Sequence, residues 1–316
     1  MQQYLEQFTP YPGMPLEINA SAFICAPDPL FQDGDVVFAR QGTEATLYQL
    51  REQATGSLWA LKVFHPGFNA PYLQDEAYAL SQFTGLPGLS CARRHCLTRT
   101  NAPMMIARYP MLEYAMLMPW ISGRLWAGFM LDRTASAGYT PALALSLARL
   151  LASALGHLEV NGIAHTDIAG GNILFSPTWD KVELVDIERM FLPGGPRPVV
   201  VSHGSPGYAF PKQDAQGQWR KDGDRFSGAI ALVEILAWAD PAVRAVTSVE
   251  SDTLFDDSDL QALTSERWQR ARDAIWAICP PALALFDQAW NARDLSECPA
   301  MAEWAFALNT TQSAGM

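Results

Sequence analysis

Residues 162–174 read Gly-Ile-Ala-His-Thr-Asp-Ile-Ala-Gly-Gly-Asn-Ile-Leu. No other run constrains the fold as much, because it sets polar side chains in a tight turn between apolar stretches. Asp167 and Asn172 stand five residues apart, and the next apolar run, Val182-Glu183-Leu184-Val185, ends in Asp186. A carboxylate, an amide and a second carboxylate delivered this way are hard oxygen donors that suit a divalent cation. Together they can also hold an attacking hydroxyl around a nucleotide triphosphate.

The chain around this loop changes character once. Val36-Val37-Phe38-Ala39, Thr46-Leu47-Tyr48-Gln49-Leu50 and residues 58–64 read as strands, with Gly42 in the first turn and His65-Pro66-Gly67 closing the third. A helix follows over about 71–83, with Leu73, Ala77, Leu80 and Phe83 on one side, and Gly85-Leu86-Pro87-Gly88 stops it. Two more strands are expected near 104–108 and 114–118. After Gly123 helices dominate. Residues 141–160 form a long helix with Leu at 143, 147, 150, 151, 155 and 158, and it leads straight into the Asp167–Asn172 loop. Two short strands, 173–175 and 182–185, come after that loop, and a Pro/Gly-rich segment spans 193–211. Residues 1–33, rich in Pro and polar residues, read as an irregular arm. The expected organisation is therefore an arm over 1–33, a strand-rich lobe over 34–117 and a mainly helical lobe over 118–316.

Bulk properties narrow the class of function. Of 316 residues, 49% are hydrophobic and 17% charged, which describes a globular chain with a large core. A net charge of -11 with no long basic run argues against a nucleic-acid or anionic-membrane partner. The longest apolar helix candidate, 228–239, contains Glu234 and is too short to span a bilayer. The start, Met1-Gln2-Gln3-Tyr4-Leu5-Glu6, lacks the regions of a signal peptide, so the expected location is cytoplasmic. Five scattered cysteines suit reduced thiols. Cys91, His95 and Cys96 lack a second ligand pair and lie beside Arg93 and Arg94, so they read as inert thiols rather than a zinc site.

The order of motifs resembles that of the protein-kinase-like superfamily over about residues 34–308. His165-x-Asp167-x-x-x-x-Asn172 is similar to its catalytic loop, and Trp59-Ala60-Leu61-Lys62 to its third-strand lysine motif. Glu76, fourteen residues after Lys62, stands where a helix glutamate pairs with that lysine. Gly42 keeps the middle glycine of a phosphate loop, and Met118-Pro119-Trp120-Ile121 matches the hinge that holds adenine. Gly204-Ser205-Pro206-Gly207-Tyr208 resembles the end of an activation segment. Asp224-Arg225-Phe226-Ser227-Gly228 resembles the start of the buried helix behind the catalytic loop.

The resemblance implies an α+β, bilobal fold: a small antiparallel sheet with one helix, then a larger helical lobe. It implies ATP and Mg²⁺, or Mn²⁺ in its place, as nucleotide and metal. Asp167 would orient the acceptor hydroxyl, Asn172 and Asp186 would hold the metal, and Lys62, aimed by Glu76, would reach the phosphates. Adenine would lie among Leu47, Ala60 and Leu174, with Met118, Pro119 and Ile121 at the hinge. The implied activity is phosphorylation of Ser/Thr hydroxyls on a protein. A narrower likeness is to bacterial kinases encoded with a PP2C-type phosphatase and a von Willebrand A-domain protein, which makes those two candidate partners.

Several positions depart from the family pattern. Thr166 replaces the arginine before the catalytic Asp, Ala169 replaces the lysine after it, and Asp186-Ile187-Glu188 stands where Asp-Phe-Gly is usual. Lys212 and Cys298 replace both members of one buried ion pair, a loss far cheaper than losing one. Two alternatives remain open at this point. A small-molecule phosphotransferase of the aminoglycoside- or choline-kinase type shares the Asp-x-x-x-x-Asn loop but lacks a Gly-Ser-Pro-Gly-Tyr segment. A nucleotide-binding pseudokinase would account for Ala169 and the single loop glycine.

Overall fold

The computed structural model describes residues 7–31, 33–195, 197–198, 201–213, 217–248, 250–262 and 264–311. The chain divides into two compact units, residues 1–85 with 89–121, and residues 86–88 with 122–316. It is a mixed α/β protein in which an antiparallel sheet dominates the first unit and helices the second.

The sheet of the first unit is built from β1 (Pro15–Ile18), β2 (Ser21–Cys25), β3 (Ala39–Gln41), β4 (Ala45–Glu52), β5 (Leu58–Phe64), β6 (His95–Cys96) and β7 (Met116–Pro119). Its order is β1-β2-β4-β5-β7-β6, with β3 paired to the other end of β4. Strand β5 forms from a short, almost wholly apolar run, Leu58-Trp59-Ala60-Leu61-Lys62-Val63-Phe64, whose two faces are both packed. Leu61 and Val63 point into a core with Phe8, Met14, Leu16, Ile18, Phe23 and Leu50. Phe64 points the other way, into a smaller cluster with Ala45, Leu73, Ala77, Cys96 and Met116.

Two expectations for this unit are corrected. The stretch expected as an irregular arm instead supplies β1 and β2, whose hairpin turns through Asn19 and Ala20 at φ 52° and 60°. Leu16, Ile18, Phe23 and Cys25 are buried, and that period-two spacing supplies the strand signal that the prolines obscure. Residues 1–6 and 32 of that stretch, including the start read for a signal peptide, lie outside the described residues. The run near 104–108 is a helix, α2 (Pro103–Arg108), not a strand. Pro103 opens it, and Met, Ala and Arg are better helix than strand formers. The helix α1 (Tyr72–Ser81) forms as expected and buries Leu73, Ala77 and Leu80.

The second unit contains β8 (Arg124–Leu125), β9 (Ile173–Phe175) and β10 (Val182–Leu184) in a small antiparallel sheet ordered β10-β9-β8. Its helices are α3 (Trp126–Leu131), α4 (Arg133–Ser136), α5 (Pro141–Val160), α6 (Asp224–Ala237), α7 (Pro241–Val246), α8 (Asp257–Gln261), α9 (Glu266–Ile278), α10 (Pro280–Asn291) and α11 (Met301–Thr310). Helix α5 begins at Pro141 with the Thr140 hydroxyl accepting from the Leu143 N–H, a capped start that the sequence spells out. Among the described residues the one helix long and apolar enough by composition to cross a bilayer is α5, so 228–239 is not the longest apolar helix. Half of α5 is buried, and it packs on α6 and α11. The Arg149 guanidinium, midway along it, donates to the Leu308 and Thr311 carbonyls at the end of α11. Helix α6 is buried on all sides, which explains its nearly unbroken apolar sequence.

Candidate functional site

In the second unit the loop before β9 is fixed from below by α6. Asp224 is buried, and its two carboxylate oxygens accept from the His165 N–H at 2.6 Å and the Thr166 N–H at 2.7 Å. Burial raises its pKa above the usual carboxylate range, and His165 with the two N–H groups pulls the other way. Those bonds hold Thr166 at φ 69°, a left-handed conformation that a β-branched residue rarely takes. The Thr166 hydroxyl donates to the Arg189 carbonyl at 3.0 Å, and His165 Nε2 lies 2.9 Å from the Val185 carbonyl. Both bonds tie the loop to the chain on either side of Asp186. Asp186 itself is held at φ 62°. Two non-glycine residues in the left-handed region, each costing of order 1–3 kcal/mol, mark a segment whose shape is imposed by its surroundings.

Of the expected residues of this unit, Asp167 and Asn172 are bonded to each other, and the chain just before Asp186 is tied to Asn172. Asn172 donates through Nδ2 to the Asp167 carbonyl at 2.8 Å, and its carbonyl accepts from the Val185 N–H at 3.0 Å, immediately before Asp186. Asp167 Oδ1 accepts from the Ser205 hydroxyl at 2.8 Å. Leu174 lies in β9, almost fully buried, and Gly123 is forced to be glycine there. A Cβ on Gly123 would stand 2.2 Å from both Leu174 Cδ2 and the Phe175 carbonyl oxygen.

In the first unit, strand pairing sets another group on one face of the sheet. Leu47 opposes Lys62, Lys62 opposes Met116, and Ala60 opposes Met118. Directly opposed residues share a face, so Leu47, Ala60, Lys62 and Met118 form one patch, in which Leu47, Lys62 and Met118 are half-buried. Lys62 Nζ lies 5.5 Å from the Phe64 ring centroid. Helix α1 packs on this same face through Leu73 and Ala77. Glu76 is half-buried beside Ala77, while neighbouring Asp75 is exposed, so Glu76 is the acid on the packed side. Pro119 is the last residue of β7, opposite Trp59, and Trp120 donates to the Leu58 carbonyl at 3.1 Å before the chain leaves the sheet at Ile121. Gly42 stands in the exposed turn between β3 and β4.

The donor set suits Mg²⁺ better than a soft metal. Among the described residues no group of three or more His, Cys, Asp or Glu side chains gathers around one point. Asn172 and Asp186 supply oxygen, and Mg²⁺ characteristically takes one or two protein ligands and completes its shell with water and phosphate. With the Asn172 amide nitrogen turned to the Asp167 carbonyl, its oxygen is left for such a role.

Sequence reasoning missed two features. Glu234 is fully buried in α6 and accepts from the Tyr208 hydroxyl at 2.6 Å, the Trp126 indole at 2.7 Å and the Leu254 N–H at 2.6 Å. The signal was present: Glu234 is the lone charge in the run 226–239. The second is what Lys212 and Cys298 do in place of the ion pair that the resemblance would lead one to expect. The Lys212 amine donates to the Ala292 carbonyl at 2.9 Å, and Arg220 bridges Asp222 at 2.9 Å and Asp294 at 2.8 Å. The Cys298 thiol, pushed up to about 12 chiefly by burial, is a packing group there. No protein-family model matches this chain, and no curated protein matches it, so the functional case rests on these residues and their geometry.

Proposed function

We propose that this chain is an ATP- and Mg²⁺-dependent phosphotransferase of the protein-kinase-like type, with the bilobal fold of that superfamily, acting on Ser/Thr hydroxyls of a protein. The observation that carries the reading is the Ser205 hydroxyl donating to Asp167 Oδ1 at 2.8 Å. It supports Asp167 as a carboxylate placed to accept a proton from an alcohol, with its partner supplied by the segment that would border an acceptor peptide.

Each unit carries its own share of the roles. Asp167 orients the acceptor hydroxyl and takes its proton as transfer proceeds. Asn172 and Asp186 would hold Mg²⁺, which when bound neutralises charge on the β- and γ-phosphates. Lys62, on its rigid strand, is a point charge for the phosphates, and Glu76 aims it. Leu47, Ala60 and Met118 give adenine an apolar surface, with Leu174, Pro119 and Ile121 completing that role in the reading. Ala169 supplies no cation, so charge neutralisation falls on Lys62 and the metal, and slow, metal-sensitive turnover follows. A cytoplasmic location, and a von Willebrand A-domain protein and a PP2C-type phosphatase as partners, belong to the same proposal.

The test is labelled ATP with candidate protein substrates, wild type beside Asp167→Ala. Transfer by the wild type should fall at least about a hundredfold in the variant while nucleotide binding persists. Equal incorporation by both proteins sinks the enzyme reading and leaves a binding module. Labelling of small alcohols without labelling of protein selects a small-molecule phosphotransferase, a reading that the buried Glu188 in Asp186-Ile187-Glu188 favours.

A further inference from the structure

Residues 185–190 belong to no helix or strand, so the place of Asp186 is set by individual bonds rather than by a regular element. Ahead of Asp186, Val185 is held twice. Its N–H donates to the Asn172 carbonyl at 3.0 Å, and its carbonyl accepts from His165 Nε2 at 2.9 Å. Beyond Asp186, Phe191 and Ala164 exchange two backbone bonds, at 2.8 and 3.1 Å. Between these anchors the Thr166 hydroxyl donates to the Arg189 carbonyl at 3.0 Å. Ile187, Glu188 and Met190 are buried, whereas Asp186 is exposed. The segment is thus packed beyond Asp186 and turns that residue outward.

Threonine is a strained choice for position 166. The residue is fully buried, and its φ of 69° lies in the left-handed region, where a β-branched side chain is crowded. Glycine would take that conformation without steric conflict, and asparagine with less of it. The Thr166 N–H donates to Asp224 Oδ1 at 2.7 Å, a bond that any residue except proline could make. What threonine adds is the hydroxyl, and that hydroxyl reaches the Arg189 carbonyl. Strain retained at a residue whose side chain crosses to the segment bearing Asp186 points to a role in holding that segment.

We propose that Thr166 is a positioning residue for Asp186, the candidate metal ligand: its hydroxyl fixes the chain after Asp186 as the bonds to Val185 fix the chain before it. This rests on the metal role given to Asn172 and Asp186 above. The experiment is titration calorimetry of the full chain with a non-hydrolysable ATP analogue, without and with Mn²⁺, for wild type, Thr166→Val and Thr166→Ser. The quantity read is the factor by which Mn²⁺ tightens nucleotide binding. Valine keeps the branched shape but removes the donor to the Arg189 carbonyl, so this factor should fall roughly three- to tenfold. Affinity for the analogue without metal should match that of the wild type. Serine keeps the hydroxyl and should restore the factor. Should Thr166→Val fail to fold, Thr166→Ala beside Thr166→Ser makes the same comparison. A factor unchanged when the hydroxyl is removed overturns the role of Thr166 alone. So does a loss of affinity equal with and without Mn²⁺, or one that serine does not restore. A wild type whose nucleotide affinity ignores Mn²⁺ overturns the metal reading of Asn172 and Asp186, and this inference with it.

Discussion

Replacing Glu234 by Gln should change how the stability of the second unit depends on pH. Burial raises the Glu234 pKa from 4.5 to about 7, with Asp252 adding to the rise and the Tyr208, Leu254 and Trp126 donors opposing it. The folded protein thus binds this proton more tightly than the unfolded chain does. The group's contribution is complete below about pH 4.5 and is lost as pH rises to about 7. At about 1.4 kcal/mol per pKa unit the full span is worth about 3 kcal/mol, of which about 2 kcal/mol falls between pH 5.5 and 8. That window stays clear of the sequence isoelectric point near 4.9. Gln keeps an oxygen for Tyr208 and Trp126 but turns an amide N–H₂ towards the Leu254 N–H, at a cost of about 1–3 kcal/mol. That cost is the same at both pH values and cancels in the comparison. Urea denaturation followed by circular dichroism at pH 5.5 and 8 measures the effect. The wild type should lose about 2 kcal/mol more than the variant over that interval. Equal losses in the two proteins would refute the assignment of the proton to Glu234.

Two further changes test the supports of the site and of the sheet. Asp224→Ala leaves the buried N–H groups of His165 and Thr166 without an acceptor and should cost about 2–4 kcal/mol in thermal denaturation, with Asn restoring part of it. Phe8→Ala removes a buried ring set edge-on to Tyr48 at 5.5 Å and Tyr109 at 5.4 Å. It should cost about 3 kcal/mol, whereas a loose arm would give a change near zero in the same urea titration.

The parts of the fold legible in the sequence were those in which one local signal dominates. Residues 58–64 are a short apolar run broken only by Lys62 and closed by His65-Pro66-Gly67, 141–160 carry a proline start and a leucine face, and both form as read. In the loop 165–172 the contact between the two polar residues singled out was legible because it is set within one short segment, and Asn172 does bond to the Asp167 carbonyl. What escaped depends on distant partners. Residues 15–25 look irregular until β4 is present to pair with them, and Thr166 gives no sign of φ 69° until Asp224, 58 positions later, accepts its N–H. The apolar run at 104–108 is too short for periodicity to separate helix from strand, and its composition was the better guide. His65 reads as a strand terminator, because the carbonyl that its ring meets, that of Thr43, lies 22 residues earlier in the chain.

The N-terminal segment that backs the sheet also sets a timetable for synthesis. Phe8 and its edge-on partner Tyr109 are separated by about a hundred residues. At about 5–20 residues per second the ribosome needs roughly 5–20 s to make the second after the first. During that interval Phe8, Met14, Leu16, Ile18 and Phe23 have been made but lack Met105, Ile106 and Tyr109, so the core they share is incomplete. The first unit therefore cannot close stepwise from its N-terminus; it must wait for residues up to 121 and then fold through long-range pairings, the slow kind. Until then the cell's chaperones would meet this segment as an apolar hairpin without its partners, and its yield on expression should respond to translation speed more than its final stability would suggest.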